Sequence, residues 1–191
     1  MNFTYSLRSI GWADVYIKVN NSEVFIDASY LSEPLIDMVR AIERLIPECA
    51  EEDEISEIVL FEWDSEPAIH RWVIHKLSQD LINIEITLFV DGITESTGEV
   101  LLNEECNFKE FVDLVVNSME KIIRKHGIVG YRKQWNAQDF PLSSYIKLKH
   151  YLKTNNRFPI DVLNKDEWIE SISTNINDEV EVILNFDERI L

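Results

Sequence analysis

Apolar and polar positions alternate strictly near the start of the chain. Ala13, Val15, Ile17 and Val19 fall on one side, and Asp14, Tyr16 and Lys18 on the other. A period of two suits a strand with one buried face. Asn20-Asn21-Ser22 supplies turn chemistry, and Val24, Ile26 and Ala28 resume the alternation. The first 30 residues therefore predict a β-hairpin. The period then lengthens. Leu35, Met38, Val39, Ile42, Leu45 and Ile46 form one helical stripe. Ser32 is the expected N-cap, with Glu33 and Pro34 in the first turn, where a missing N–H costs nothing. Pro47 ends the helix because it cannot donate the next hydrogen bond.

Three β-prone runs follow, at Ile58–Trp63, Ala68–Leu77 and Leu81–Val90. Turn signals at Ser65-Glu66-Pro67, Ser78-Gln79-Asp80 and Asp91-Gly92 separate them and predict an antiparallel meander. Glu99–Leu102 adds a short edge strand. Asn107 is the expected N-cap of a second long helix with Phe108, Phe111, Val112, Val115, Met119 and Ile122 on one stripe. Lys121, Arg124, Lys125 and His126 suit the negative end of its dipole, and Gly127 is a natural residue just past the end. Residues 128–141 show little periodicity. Leu142–Lys153 reads as helix, Trp168 sits in an expected short helix, and Glu179–Phe186 reads as a final strand. Grouped strands and grouped helices indicate an α+β fold: one antiparallel sheet, a meander plus an N-terminal hairpin, with the amphipathic helices packed on one face. A single domain over 1–191 is expected, with 128–191 as an optional smaller lobe.

FEWDSEPAIHRWVIHK, residues 61–76, concentrates the chemistry-bearing side chains. On a strand, His70, Trp72 and Ile74 share one face, and Ile69, Arg71, Val73 and His75 the other. His70 and His75 then cannot share a metal, and on a helix they would lie about 140° apart. Asp64 and Glu66 flank a turn near His70, and carboxylate plus histidine is a common acid–base pairing. Any solvent-facing strand end in an acidic chain would look the same. Trp63 and Trp72 can meet across two strands, either as a core pair or as a recognition patch. HExxH, GxGxxG, GxxxxGK[ST] and GxSxG are absent. No catalytic residue, metal ligand or cofactor site is assigned. His126 reads as a helix-end cation and His150 as an exposed helix residue.

Charge narrows the partners. The net charge is −17, distributed unevenly. Residues 1–120 carry 7 basic and 25 acidic side chains, 121–157 carry 9 and 1, and 158–191 carry 2 and 9. An acidic body repels nucleic acid and anionic membrane and attracts a basic protein. The basic segment is expected to fold back onto the acidic body. The six carboxylates of Glu48–Glu57 read as a solvated loop. Cys49 and Cys106 lack metal or redox spacing. No run reaches the roughly 20 apolar residues of a membrane span, and no stretch reads as a signal peptide, so a cytoplasmic location is expected.

GWADVYIKV, DASYLSEPLIDMVRAIERL and FEWDSEPAIHRWVIHK together resemble a pattern of small acidic bacterial proteins, over roughly residues 10–90. Some proteins of that kind are immunity proteins against toxins. The resemblance implies a non-catalytic binding protein that neutralises a basic toxin and carries over no catalytic residue. The partner-binding residues expected on that basis are Glu62, Trp63, Asp64, Glu66 and Trp72, with Glu51–Glu54 steering the approach. The alternative is an enzyme or small-anion binder with a pocket lined by Tyr131, Arg132, Trp135 and His150, near the basic 121–157 segment. Nothing in the sequence sets the oligomeric state.

Overall fold

The computed structural model describes residues 1–165 and 167–186. The class is α+β, as expected, with an N-terminal antiparallel sheet and a meander. Instead of one sheet there are two principal ones. Strands β1 (Asn2–Leu7), β2 (Trp12–Val19) and β3 (Ser22–Ser29) form the first, in that order. Strand β1 extends the predicted hairpin: Phe3, Tyr5 and Leu7 alternate with Thr4 and Ser6 and bury against the core. Strands β4 (Ile58–Ser65), β5 (Ala68–Lys76), β6 (Leu81–Phe89) and β7 (Glu99–Asn107) form the meander. Strand β7 runs past the predicted edge strand to Asn107, with a register shift at Ile86/Thr87.

Strand β3 ties the two sheets together. At its start, Asn20 Nδ2 and Ser22 Oγ donate to the Glu104 carboxylate of β7, at 2.9 and 2.6 Å. At its end, Ser29 Oγ donates to Glu66 just beyond β4, and the Asp64 N–H donates to Ser32 Oγ at 2.9 Å. Ser32 is thus used by β4 and does not cap the helix. Helix α1 (Pro34–Arg44) has Glu33 in the cap position, with no side-chain cap bond, and Pro34 opening it.

Helix α2 (Phe108–Gln134) lies along β1, with Phe3 and Phe111 edge to face at 5.8 Å. Asn107 caps it, accepting from the Glu110 N–H at 2.9 Å. Gly127 breaks it at φ +65° and ψ 172°. A Cβ there would meet nothing within 4 Å, so glycine serves the backbone angle and not a close approach. The helix then resumes to Gln134, where the sequence suggested little order. Tyr131, Trp135 and Phe140 join the main core, and the Gly11 N–H donates to the Gln134 carbonyl at 2.9 Å. Helix α3 (Leu142–Thr154) packs on α2 and α1 and buries Tyr145 and Leu148. Residues 131–158 share one apolar cluster with the sheets, so no boundary in the packing falls at 128.

The basic segment does fold back in part. Lys147 Nζ meets Glu43 at 2.7 Å, and Arg157 meets Glu51 at 3.2 Å. The chain then leaves the core. A hairpin of β8 (Asp161–Leu163) and β9 (Ser171–Ser173) holds Trp168 in its connecting turn, so the expected short helix there is absent. Helix α4 (Ile176–Leu184) replaces the expected final strand. Val180, Val182 and Leu184 alternate as in a strand, yet Asn175 caps a helical turn by accepting from the Asn177 N–H at 3.0 Å. Asp178 and Glu179 in the first turn suit the helix dipole. Of this final helix, Val182 and Ile183 rest against the core.

Candidate functional site

The meander has one covered face and one open face. Pleating places Val59, Phe61 and Trp63 of β4 with His70, Trp72 and Ile74 of β5 and Ile82, Ile84 and Ile86 of β6 on the covered side, all buried. Trp63 and Trp72 do meet, with ring centroids 4.8 Å apart, and Phe61 stacks on Trp72 at 5.7 Å. Both tryptophans are 0% exposed. They are core residues, and their expected role as partner anchors is corrected: no partner reaches them while the sheet is intact.

His70 lies on the same covered face, beside Ser65, with Oγ and Nδ1 2.9 Å apart. Burial lowers its pKa to about 4, so the ring is neutral near pH 7. Asp64 faces the other way, paired in register with Ile69, and so cannot orient this histidine. The expected carboxylate–histidine proximity is therefore not realised. Ser65 and His70 form a hydrogen-bonded pair under the turn, and so low a pKa makes His70 a weak base.

The open face carries a different set. Leu60, Val73, Glu85 and Asn103 lie in one row across β4 to β7, and Ile58, His75, Asn83 and Glu105 in the next. Leu60 is 57% exposed, and Ile58 and Val100 are each 54% exposed. Glu62 points outward but is not free: its Oε1 lies 2.6 Å from Arg71 Nη2 and 2.7 Å from Arg71 Nε. Arg71 also lies over the Phe89 ring at 4.8 Å. The segment 58–107 holds ten carboxylates and two cations, a net of −8. Its other cation, Lys76, donates to the Leu45 carbonyl at 2.6 Å. Both positive groups are thus engaged within the fold.

Asp64 and Glu66 sit at the far end of this face. The Ser32–Asp64 bond brings the segment that leads into α1 there. Desolvation, then Glu66 and Glu62, hold the Asp64 carboxyl above the usual range. Desolvation, then Glu33, does the same for Asp37. Sequence reasoning missed the bond from the Asp64 N–H to Ser32 at this corner. Glu51–Glu54 lie before the opposite end of β4, about 26 Å away for an eight-residue strand, so the steering run and the turn do not form one patch.

The expected anion pocket is not assembled. Tyr131 and Trp135 are core residues, 1% exposed, and Arg132 pairs with Asp139 on the surface. Only His150 reaches a cavity, one of about 830 Å³ between α2, α3 and α4. Asp113, Glu120, Asp178 and Glu181 line it beside Lys149 and Lys153, so its carboxylates outnumber its cations. His126 is not the cation expected either. Burial and then Lys125 lower its pKa, and its buried Nε2 has no hydrogen-bond partner among the described residues.

The two thiols are buried, and burial pushes both up to about 12, which leaves them unreactive. Among the described residues no group of three or more His, Cys, Asp or Glu could hold a metal ion. None of the described helices is long and apolar enough to cross a membrane. Comparison of the chain with family models, curated proteins and solved structures returns no match.

Proposed function

We propose that the chain is a non-catalytic binding protein that takes a basic protein on the open face of the meander. A bacterial immunity protein that neutralises a basic toxin is the concrete form of this role. The observation that carries the reading is the pairing of exposed Leu60, Ile58 and Val100 with a segment of net charge −8 whose two cations are already engaged. Leu60 and Ile58 on one edge strand and Val100 on the other supply exposed apolar area to bury, and the surrounding excess of carboxylates favours a cationic partner. The buried tryptophans serve this face indirectly, by holding the strands rigid beneath it. The resemblance over residues 10–90 to acidic proteins of the immunity kind agrees with it.

The test is capture from lysate of the native host on the tagged protein, with elution in rising salt and identification of what is released. One stoichiometric basic protein, released at moderate salt, is the expected result. Its association rate should fall about tenfold or more between low salt and 0.5 M, because that salt shortens the screening length below the size of the face. An absence of any such protein, with the chain a monodisperse monomer, would contradict the reading.

A further inference from the structure

We infer that residues 159–184 form a docking arm that seats Trp168 in an apolar groove, rimmed by Lys and Arg side chains, on the basic partner. The inference rests on the binding role proposed above and adds a second contact to it.

Among the described residues the arm leaves most of its apolar side chains in water, with Val182 and Ile183 alone of them resting against the core. All six strand residues of β8 and β9 are exposed, and α4 buries none of its residues fully. Trp168 stands fully in solvent at 101% exposure. Leu163, Ile169 and Ile172 of the same hairpin are exposed at 62–66%. Helix α4 continues the pattern with Ile176 and Leu184 at 64 and 65%. These two, with Val180 between them, recur every four residues and so form one exposed stripe, flanked by Ile183, which rests against the core.

Such a segment gains little stability from itself. An isolated two-stranded hairpin is marginal in water, and a helix of nine residues is shorter than the roughly 12–15 that an isolated helix needs. The apolar side chains therefore have a use for a covering surface, and charge decides which. Residues 159–184 carry seven carboxylates and one lysine, a net of −6. A second copy of this chain, at −17, would meet the arm with like charge. A basic protein meets it with opposite charge, and tryptophan is among the side chains enriched as binding anchors.

The experiment uses the full chain and the basic protein identified by capture and then purified. Trp168→Ala combined with Leu163→Ala changes two exposed side chains and should leave the thermal midpoint unchanged. The dissociation constant should rise roughly 30-fold or more. Amide hydrogens of 159–184 should exchange rapidly in the free chain and slowly in the complex. Unchanged affinity in the double variant, while Leu60→Lys loses binding, would overturn the arm and leave the binding role standing. A wild-type chain that retains no basic protein would overturn both. A wild-type dimer that the double variant converts to monomer would show a second copy as the occupant and overturn the basic-partner assignment.

Discussion

The two faces of the meander are built from the same strands and do opposite work. On the covered side, Trp63, Trp72 and Ile84 are 0% exposed and support one another by ring and aliphatic packing. On the open side, one residue along each strand, Leu60 meets water, Arg71 pairs with Glu62 and Glu85 accepts from Asn103. A single-residue step in the chain decides between the two. Residue type alone does not decide it: Trp63 and Trp72, of a type favoured at interfaces in general, belong to the core, while the aliphatic Leu60 occupies the surface.

Substitutions should separate the faces cleanly. Trp72→Ala should cost about 3–5 kcal/mol in urea unfolding, because it removes a fully buried indole and leaves a cavity between Phe61 and Trp63. A cost below about 1 kcal/mol would mean the covered face is not the core. Acid should weaken the same face through His70. Its folded pKa is lowered to about 4 while the unfolded ring titrates near 6.5. The unfolded chain then binds more protons between those values, so stability is full above pH 6.5 and is lost as pH falls toward 4. The expected loss is on the order of 2 kcal/mol. Comparison of urea midpoints at pH 7.5 and 4.5 with those of His70→Asn isolates it from the carboxylates, and equal pH slopes in the two proteins would refute it.

The open face should respond more weakly. A double-mutant cycle on Glu62 and Arg71 should return a coupling of about 0.5–1 kcal/mol that shrinks in 1 M salt, as half-exposed pairs do. Leu60→Ser should change stability by less than about 0.5 kcal/mol, since its side chain is already in solvent. A larger loss from Leu60→Ser than from Trp72→Ala would invert the comparison outright.

Much of this division could be read in the sequence. The alternation of Val15, Ile17 and Val19, the α1 stripe, the Asn107 cap and the face shared by His70, Trp72 and Ile74 all carry a period tied to one buried side. What failed had more than one period or none. Val180, Val182 and Leu184 alternate like a strand while Ile176, Val180, Ile183 and Leu184 repeat like a helix, and the Asn175 cap resolves the tie. Ser32 looked like a cap, but a hydroxyl at that position can also serve a distant strand, and β4 takes it. The approach of the Ser32 segment to the Asp64–Glu66 turn spans 32 residues of chain, which no local pattern encodes.

On the proposed function the open face, not the tryptophan pair beneath it, contacts a basic partner. Calorimetric titration of the captured partner into wild type and Leu60→Lys tests it most directly. A dissociation constant raised roughly 30-fold or more by Leu60→Lys, with the thermal midpoint unchanged, is the predicted result. Equal affinity for the two proteins would place the contact elsewhere and contradict the account.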